Sequence, residues 1–172
     1  MEKARRITAL YPEELKELLA ETGQPAYRAR QLFSWLHEKT ATSYDEMTNL
    51  PRALREKLAE THPLTKAVVV KRLCSELDDT RKYLFELEDG NVIESVRMSY
   101  EHGISVCVST QVGCRMGCRF CASTLGGLVR PLTADEMLAQ VYRIRQDGGE
   151  RVSHVVLMGS GEPLDNYEET LR

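Results

Sequence analysis

The sequence predicts an α/β protein with a helical start, a small antiparallel sheet and the opening of a parallel one. Three observations carry this. Leucines recur at helical spacing within residues 1–65, an Asp-Gly turn joins two alternating runs within 66–102, and a strand, loop, helix and strand follow one another within 103–172.

In the first zone, Pro12–Glu21 opens on proline and places Leu15, Leu18 and Leu19 on one face. Gly23-Gln24-Pro25 breaks the pattern before a second predicted helix over 26–39, which buries Leu32, Phe33 and Leu36. A third begins at Pro51 with Leu54 and Leu58 on one side. In the second zone Val68–Val70 is β-branched, and residues 82–88 alternate through Tyr83, Phe85 and Leu87. Asp89-Gly90 then leads into 91–98, the signature of a tight hairpin whose two turn residues take positive φ.

The third zone opens with a strand over 104–110 and continues through a loop rich in glycine and cysteine. A helix over 133–146 starts on a Thr133/Glu136 capping box, and a strand over 151–158 ends in Gly159-Ser160-Gly161-Glu162-Pro163. A further helix begins near Asp165. One βαβ unit cannot cover both faces of a parallel sheet, so more chain or a partner is expected to complete it.

Composition narrows the function. With 42% hydrophobic and 28% charged residues the chain is globular rather than disordered. A net charge of −3, from 23 basic and 26 acidic side chains, excludes a polybasic binder that relies on bulk positive charge. No apolar run is long enough to span a membrane, and the charged start carries no secretory pattern. A cytoplasmic location follows as the expectation.

The five cysteines are odd in number, and Cys114, Cys118 and Cys121 form a CxxxCxxC. In a reducing compartment such clustering points to metal or redox chemistry rather than to a disulfide scaffold. Three thiolates on one glycine-containing loop can wrap a compact inorganic core. A cubane needs four, so three leave one iron open to a small molecule. Phe120, just before the third thiol, is placed to screen the core from water. Zinc with His102 or His154 as fourth ligand, and a fully ligated electron-transfer cluster using Cys107 or Cys74, stay open as alternatives.

Two residues stand out beyond the loop. Alternation puts Ser105, Cys107, Ser109 and Gln111 on one side of their strand and Ile104, Val106 and Val108 on the other, so Cys107 points to the interior that the parallel strands enclose, either as a reactive thiol or as an inert buried one. Glu94 shares a face with Val92, Val96 and Met98. A carboxylate in apolar surroundings has its pKa raised toward that of a general base, whereas a sheet-edge glutamate reaches solvent. Arg28, Arg30, Arg115 and Arg119 are candidates for phosphate contacts, and Trp35 for either base stacking or the core.

The cysteine loop, with an aromatic before its last thiol, resembles the radical S-adenosylmethionine (radical SAM) superfamily. Residues 106–114 (VCVSTQVGC), 121–124 (CAST) and 161–163 (GEP), with Tyr27–Phe33 (YRARQLF) near the start, resemble the RNA adenine methyltransferases of the RlmN/Cfr type. The resemblance runs over essentially the whole chain and implies the first βαβ part of a (β/α)6 partial barrel, preceded by a helical accessory domain. It implies that Cys114, Cys118 and Cys121 hold a [4Fe-4S] cluster, that Gly161 and Glu162 bind S-adenosylmethionine, and that Glu94 accepts a proton from adenine C2. It implies for Cys107 a transient disulfide with a distant cysteine. Ser160 stands where the family is expected to have methionine.

The implied partners are 23S rRNA and transfer RNA, and an electron donor such as flavodoxin, with a monomeric protein and no membrane. Residues 121–128 look more like the C2 than the C8 enzymes. No cysteine follows Cys121, and family members carry their methyl group on a later one, so this chain alone is expected not to complete the transfer. A non-catalytic iron-sulfur or RNA-binding fragment, and another radical SAM reaction, are the alternatives.

Overall fold

The computed structural model describes residues 5–172, which divide into two compact units, one up to Thr65 and one from Lys66 onward. In the first unit, α1 (Pro12–Glu21), α2 (Tyr27–Phe33) and α3 (Arg52–Thr61) gather Leu15, Leu19, Leu32, Leu36, Leu54 and Leu58 into one core with Ile7 and Met47. The leucine spacing is what makes this possible, since each helix offers one apolar stripe. The second helix does not run on as α-helix to residue 39. From Ser34 to Glu38 it widens into a π-turn, closed by Lys39 N–H donating to Ser34 O at 2.9 Å. Trp35 is partly buried against the core. Its indole donates to Asn49 Oδ1 at 2.6 Å, and Lys39 Nζ sits 3.6 Å over its ring.

The second unit is built on a five-stranded sheet. Strands β1 (Val68–Cys74), β2 (Arg81–Glu86), β3 (Val92–Tyr100) and β4 (Gly103–Cys107) form an antiparallel meander. Helix α4 (Ala134–Gly148) then crosses over to β7 (Val152–Val156), which pairs parallel with β4. The antiparallel segment and the βαβ unit therefore share one continuous sheet. Tyr83, Phe85, Ile93, Ile104, Val106 and Val108 form a core with Met137, Ala139 and Ile144 of α4. The cap of α4 is as the sequence predicts, with Thr133 N–H donating to Glu136 Oε2 at 3.0 Å.

One turn differs from the expectation. Leu87 N–H donates to Asn91 O and Gly90 N–H to Leu87 O, so the β2–β3 loop is Glu88-Asp89-Gly90. Only Gly90 takes positive φ, at 81°. Three-residue hairpins use this pattern, a type I turn closed by a left-handed glycine, in place of the two-residue turn.

Candidate functional site

The cysteine loop leaves the sheet through a small hairpin. Strands β5 (Gln111–Gly113) and β6 (Leu128–Pro131) pair antiparallel, and Cys114 N–H donates to Gly127 O at 3.0 Å, closing residues 114–127 at the base. Gly113, at φ 71°, has to be glycine, because a Cβ there would stand 2.0 Å from Gly127 O. All five cysteines are free, and among the described residues no thiol is paired with another, so the structure lends no support to a disulfide bond. Cys114 is buried, Cys121 half-buried and Cys118 exposed. Phe120 does not screen them, being 94% exposed. Among the described residues no three Cys, His, Asp or Glu side chains stand together in a metal-holding arrangement. His102 and His154, the zinc alternatives, are in edge-on ring contact with each other.

The donor set nevertheless suits an iron-sulfur core, with three unpaired thiols on one loop closed at its base. The turn after β7 lies close against the backbone that leads from β4 into the cysteine loop. A Cβ at Gly159 would lie 2.7 Å from Ser109 N, and one at Gly161 would lie 2.7 Å from Gln111 N and from Thr110 Oγ1. That Thr110 hydroxyl is buried and makes no hydrogen bond. An orphaned donor under a glycine turn fits a polar group arriving there.

Ser109 ties this turn to Glu94. Its hydroxyl donates to Glu94 O at 2.7 Å and accepts from Ser160 N–H at 2.9 Å. Its backbone is held in turn by buried Gln140 of α4, which accepts from Ser109 N–H at 2.9 Å and donates to Ser109 O at 3.0 Å.

Glu94 and Cys107 share the sheet face away from α4. Val96 pairs with Cys107 and Leu84 with Glu94, and directly opposed residues point the same way. Burial, and next the Glu94 carboxylate, push the Cys107 thiol up, against a backbone interaction with Met158 that lowers it. The apolar setting expected for Glu94 is corrected: its side chain is 40% exposed, and Lys82 Nζ lies 3.1 Å from Oε2. Sequence reasoning missed Lys82, because its face depends on the hairpin register.

It also missed a brace between the two loops. Buried Gln111 accepts from Glu162 N–H at 3.0 Å through Oε1 and donates to Asp165 Oδ2 at 2.9 Å through Nε2. Arg115 of the cysteine loop donates to Asp165 Oδ1 through both Nε and a terminal nitrogen. Arg115 and then Gln111 hold the Asp165 carboxyl below its usual range. A second tie joins Ser123 Oγ and Ser160 Oγ at 3.2 Å. Of the arginines considered for phosphate, Arg115 is engaged here, and Arg28 donates to Asn49 O and Gln31 Oε1.

Comparison with known proteins places these features. Residues 7–63 match the ribosomal RNA large subunit methyltransferase N-terminal domain, and residues 108–172 match the radical SAM superfamily. A probable dual-specificity RNA methyltransferase RlmN of Lachnospira eligens is 57% identical over 166 residues, 96% of this chain and 47% of the relative. The protein of the same name from Lachnoclostridium phytofermentans is 54% identical with the same coverage. The crystal structure of a radical SAM methyltransferase from Sphaerobacter thermophilus superposes with a TM-score of 0.91 at 45% identity, covering 98% of this chain and 50% of that one.

The match over residues 108–172 takes in both the thiol loop and the glycine turn, and the chain belongs to the radical SAM superfamily. Within it the chain belongs to the RlmN family of RNA methyltransferases and spans about half the length of the curated relatives it matches. Superfamily membership implies S-adenosylmethionine and an iron-sulfur cluster as cofactors. Among the described residues no helix is long and apolar enough to cross a membrane.

Proposed function

We propose that this chain is part of an enzyme that methylates C2 of an adenine in 23S rRNA and in transfer RNA. The observation that carries the reading is the placement of Glu94 and Cys107 on one face of a sheet whose next turns lead into the cysteine loop and the Gly161 turn. In this reading Cys114, Cys118 and Cys121 hold a [4Fe-4S] cluster, and Gly161 and Glu162 receive S-adenosylmethionine. Bound there, the two cofactors supply one-electron chemistry that carries a methyl carbon to an unreactive ring position.

The remaining work belongs to this chain's own side chains. Glu94 accepts the ring proton. Lys82 neighbours its carboxylate, and Ser109 fixes its backbone against the cofactor turn. Gly159 and Gly161 keep that turn close to Ser109 and Gln111. The thiol of Cys107 faces the same space. Residues 1–65 are the accessory domain of this reading, which supports an RNA partner through the methyltransferase N-terminal match. A flavodoxin-type protein is the electron donor, and the protein works in the cytoplasm.

The test is anaerobic reconstitution with iron and sulfide. A brown protein with visible absorption is expected, Cys118→Ala should lose it, and zinc should not substitute. A colourless protein with stoichiometric zinc would falsify the assignment. For the base, Glu94→Gln in the full-length enzyme should abolish adenine-C2 methylation. Unchanged turnover would remove Glu94 from that role.

A further inference from the structure

Two loops that follow the C-terminal ends of the parallel strands β4 and β7 meet on a single carboxylate. Asp165 lies in the 3-10 turn Pro163–Asn166, directly after the Gly161-Glu162 pair, while Arg115 lies between the first two thiols of the cysteine loop. Asp165 Oδ1 accepts from Arg115, and Oδ2 accepts from Gln111 at 2.9 Å. Gln111 is fully buried and its amide is spent on both sides, with Oε1 taking Glu162 N–H at 3.0 Å. The turn cannot easily shift on this support, because Gly161 is already packed against Gln111 and Asn166 donates from burial to both Thr110 O and Leu132 O. The carboxylate is therefore held on a rigid base, and the loop reaches it through one exposed arginine, whose side chain is 62% exposed.

We propose that Asp165 and Gln111 are positioning residues that lock the cysteine loop to the Gly161-Glu162 turn, so that loading the turn and ordering the loop are one coupled step. The proposal rests on the reading of that turn as the S-adenosylmethionine site. Charge-assisted bonds are about twice as strong as neutral ones and lose most when one partner is removed from a partly dry setting. Coupling is also reciprocal: whatever ordering of the loop contributes to binding at the turn, binding at the turn returns to the loop. The prediction is that a change confined to the loop side of the brace weakens binding at the turn, although the altered residue is not part of that turn.

The first arm of the test needs neither cluster nor RNA. In the metal-free chain, N-ethylmaleimide labelling is followed thiol by thiol by peptide mass spectrometry. Arg115→Ala and Asp165→Ala should each speed labelling of Cys114 and Cys121 by about five- to tenfold, the scale of one lost charge-assisted bond. Cys74, exposed on β1, serves as the internal control and should not change. Arg115→Ala alters an exposed side chain, so it keeps the test alive if Asp165→Ala misfolds. Unchanged labelling at Cys114 and Cys121, or an equal rise at Cys74, overturns the proposal.

The second arm measures S-adenosylmethionine binding to the iron- and sulfide-reconstituted protein by equilibrium dialysis. Arg115→Ala should weaken it about fivefold, with partial recovery in Arg115→Lys, which keeps a cation but not the fork. Affinity equal to wild type overturns the coupling. If the wild-type protein itself binds no S-adenosylmethionine, the cofactor reading has failed instead, and the labelling arm alone decides the brace.

Discussion

Lys82 Nζ stands 3.1 Å from Glu94 Oε2 across neighbouring strands, on the face of the sheet that also presents Cys107. Both side chains are about two-fifths exposed, so the pair contributes little stability, ~0–1 kcal/mol. Its consequence is electrostatic and local. A cation beside Glu94 offsets the negative charge that the Cys107 thiol would otherwise meet.

That arrangement sets the behaviour of Cys107 with pH. Burial first, then the Glu94 carboxylate, raise its pKa, so its alkylation should begin only above the ordinary thiol range of about 8.5. Glu94→Gln should move the midpoint of the rate–pH curve down, and Lys82→Met should move it up. Peptide-resolved iodoacetamide kinetics between pH 7 and 10.5 check both directions, and a midpoint indifferent to Glu94→Gln would refute the electrostatic influence of Glu94 on Cys107.

Gly161→Ala should destabilise residues 66–172 by ~2 kcal/mol, because φ is 107° and the added Cβ meets Gln111 and Thr110 at 2.7 Å. Gly126→Ala is the control. It has open space and no left-handed φ, so its effect should stay within about 0.5 kcal/mol. Urea unfolding of the two variants reads the difference.

Arg130 bridges Asp89 on the β2–β3 turn and Glu136 at the start of α4, at 2.6 and 2.8 Å. Burial alone would push the Glu136 carboxyl up, but the Arg130 bond and the Thr133 N–H together hold it below its usual value. Arg130 likewise holds Asp89 down. Carboxyls with depressed folded pKa values stabilise above their unfolded pKa and lose that contribution as pH falls through the folded one. Arg130→Met should therefore cost ~2 kcal/mol at pH 7, and the gap from wild type should close on going from pH 5 toward pH 2. Thermal melts across that range test the sign.

In the helical unit, Leu32 is fully buried. Leu32→Ala should cost ~3 kcal/mol through the cavity it leaves. Faster amide exchange within α1, α2 and α3 is the expected readout.

Much of this was legible in advance, and the exceptions have physical causes. Leu15, Leu19, Leu54 and Leu58 reach the core because helical spacing is a local property. Ile104, Val106 and Val108 face α4 for the same reason at period two. The surroundings of Glu94 were not legible, because they turn on a single residue of loop length. A two-residue turn at Asp89-Gly90 would oppose Glu94 to Phe85 and put Lys82 opposite Arg97. The three-residue loop slips the pairing by one, so that Leu84 faces Glu94 and Lys82 faces Val96. The brace through Gln111 and Asp165 was hidden by distance along the chain, since no local pattern marks two polar residues in separate elements as partners. The π-turn at Ser34–Glu38 was likewise invisible, because it preserves the apolar spacing of Leu32 and Leu36 while widening the backbone.

Glu94 and Cys107 ride on the two legs of one hairpin, β3 and β4, folded back at Tyr100–Gly103. The span between carboxylate and thiol is consequently a dimension of the ladder, set like the jaws of a caliper by strand pairing. Sequence drift in the cysteine loop or the glycine turn can retune which molecules dock nearby without altering that gauge, and a single inserted residue in either leg would throw it out entirely.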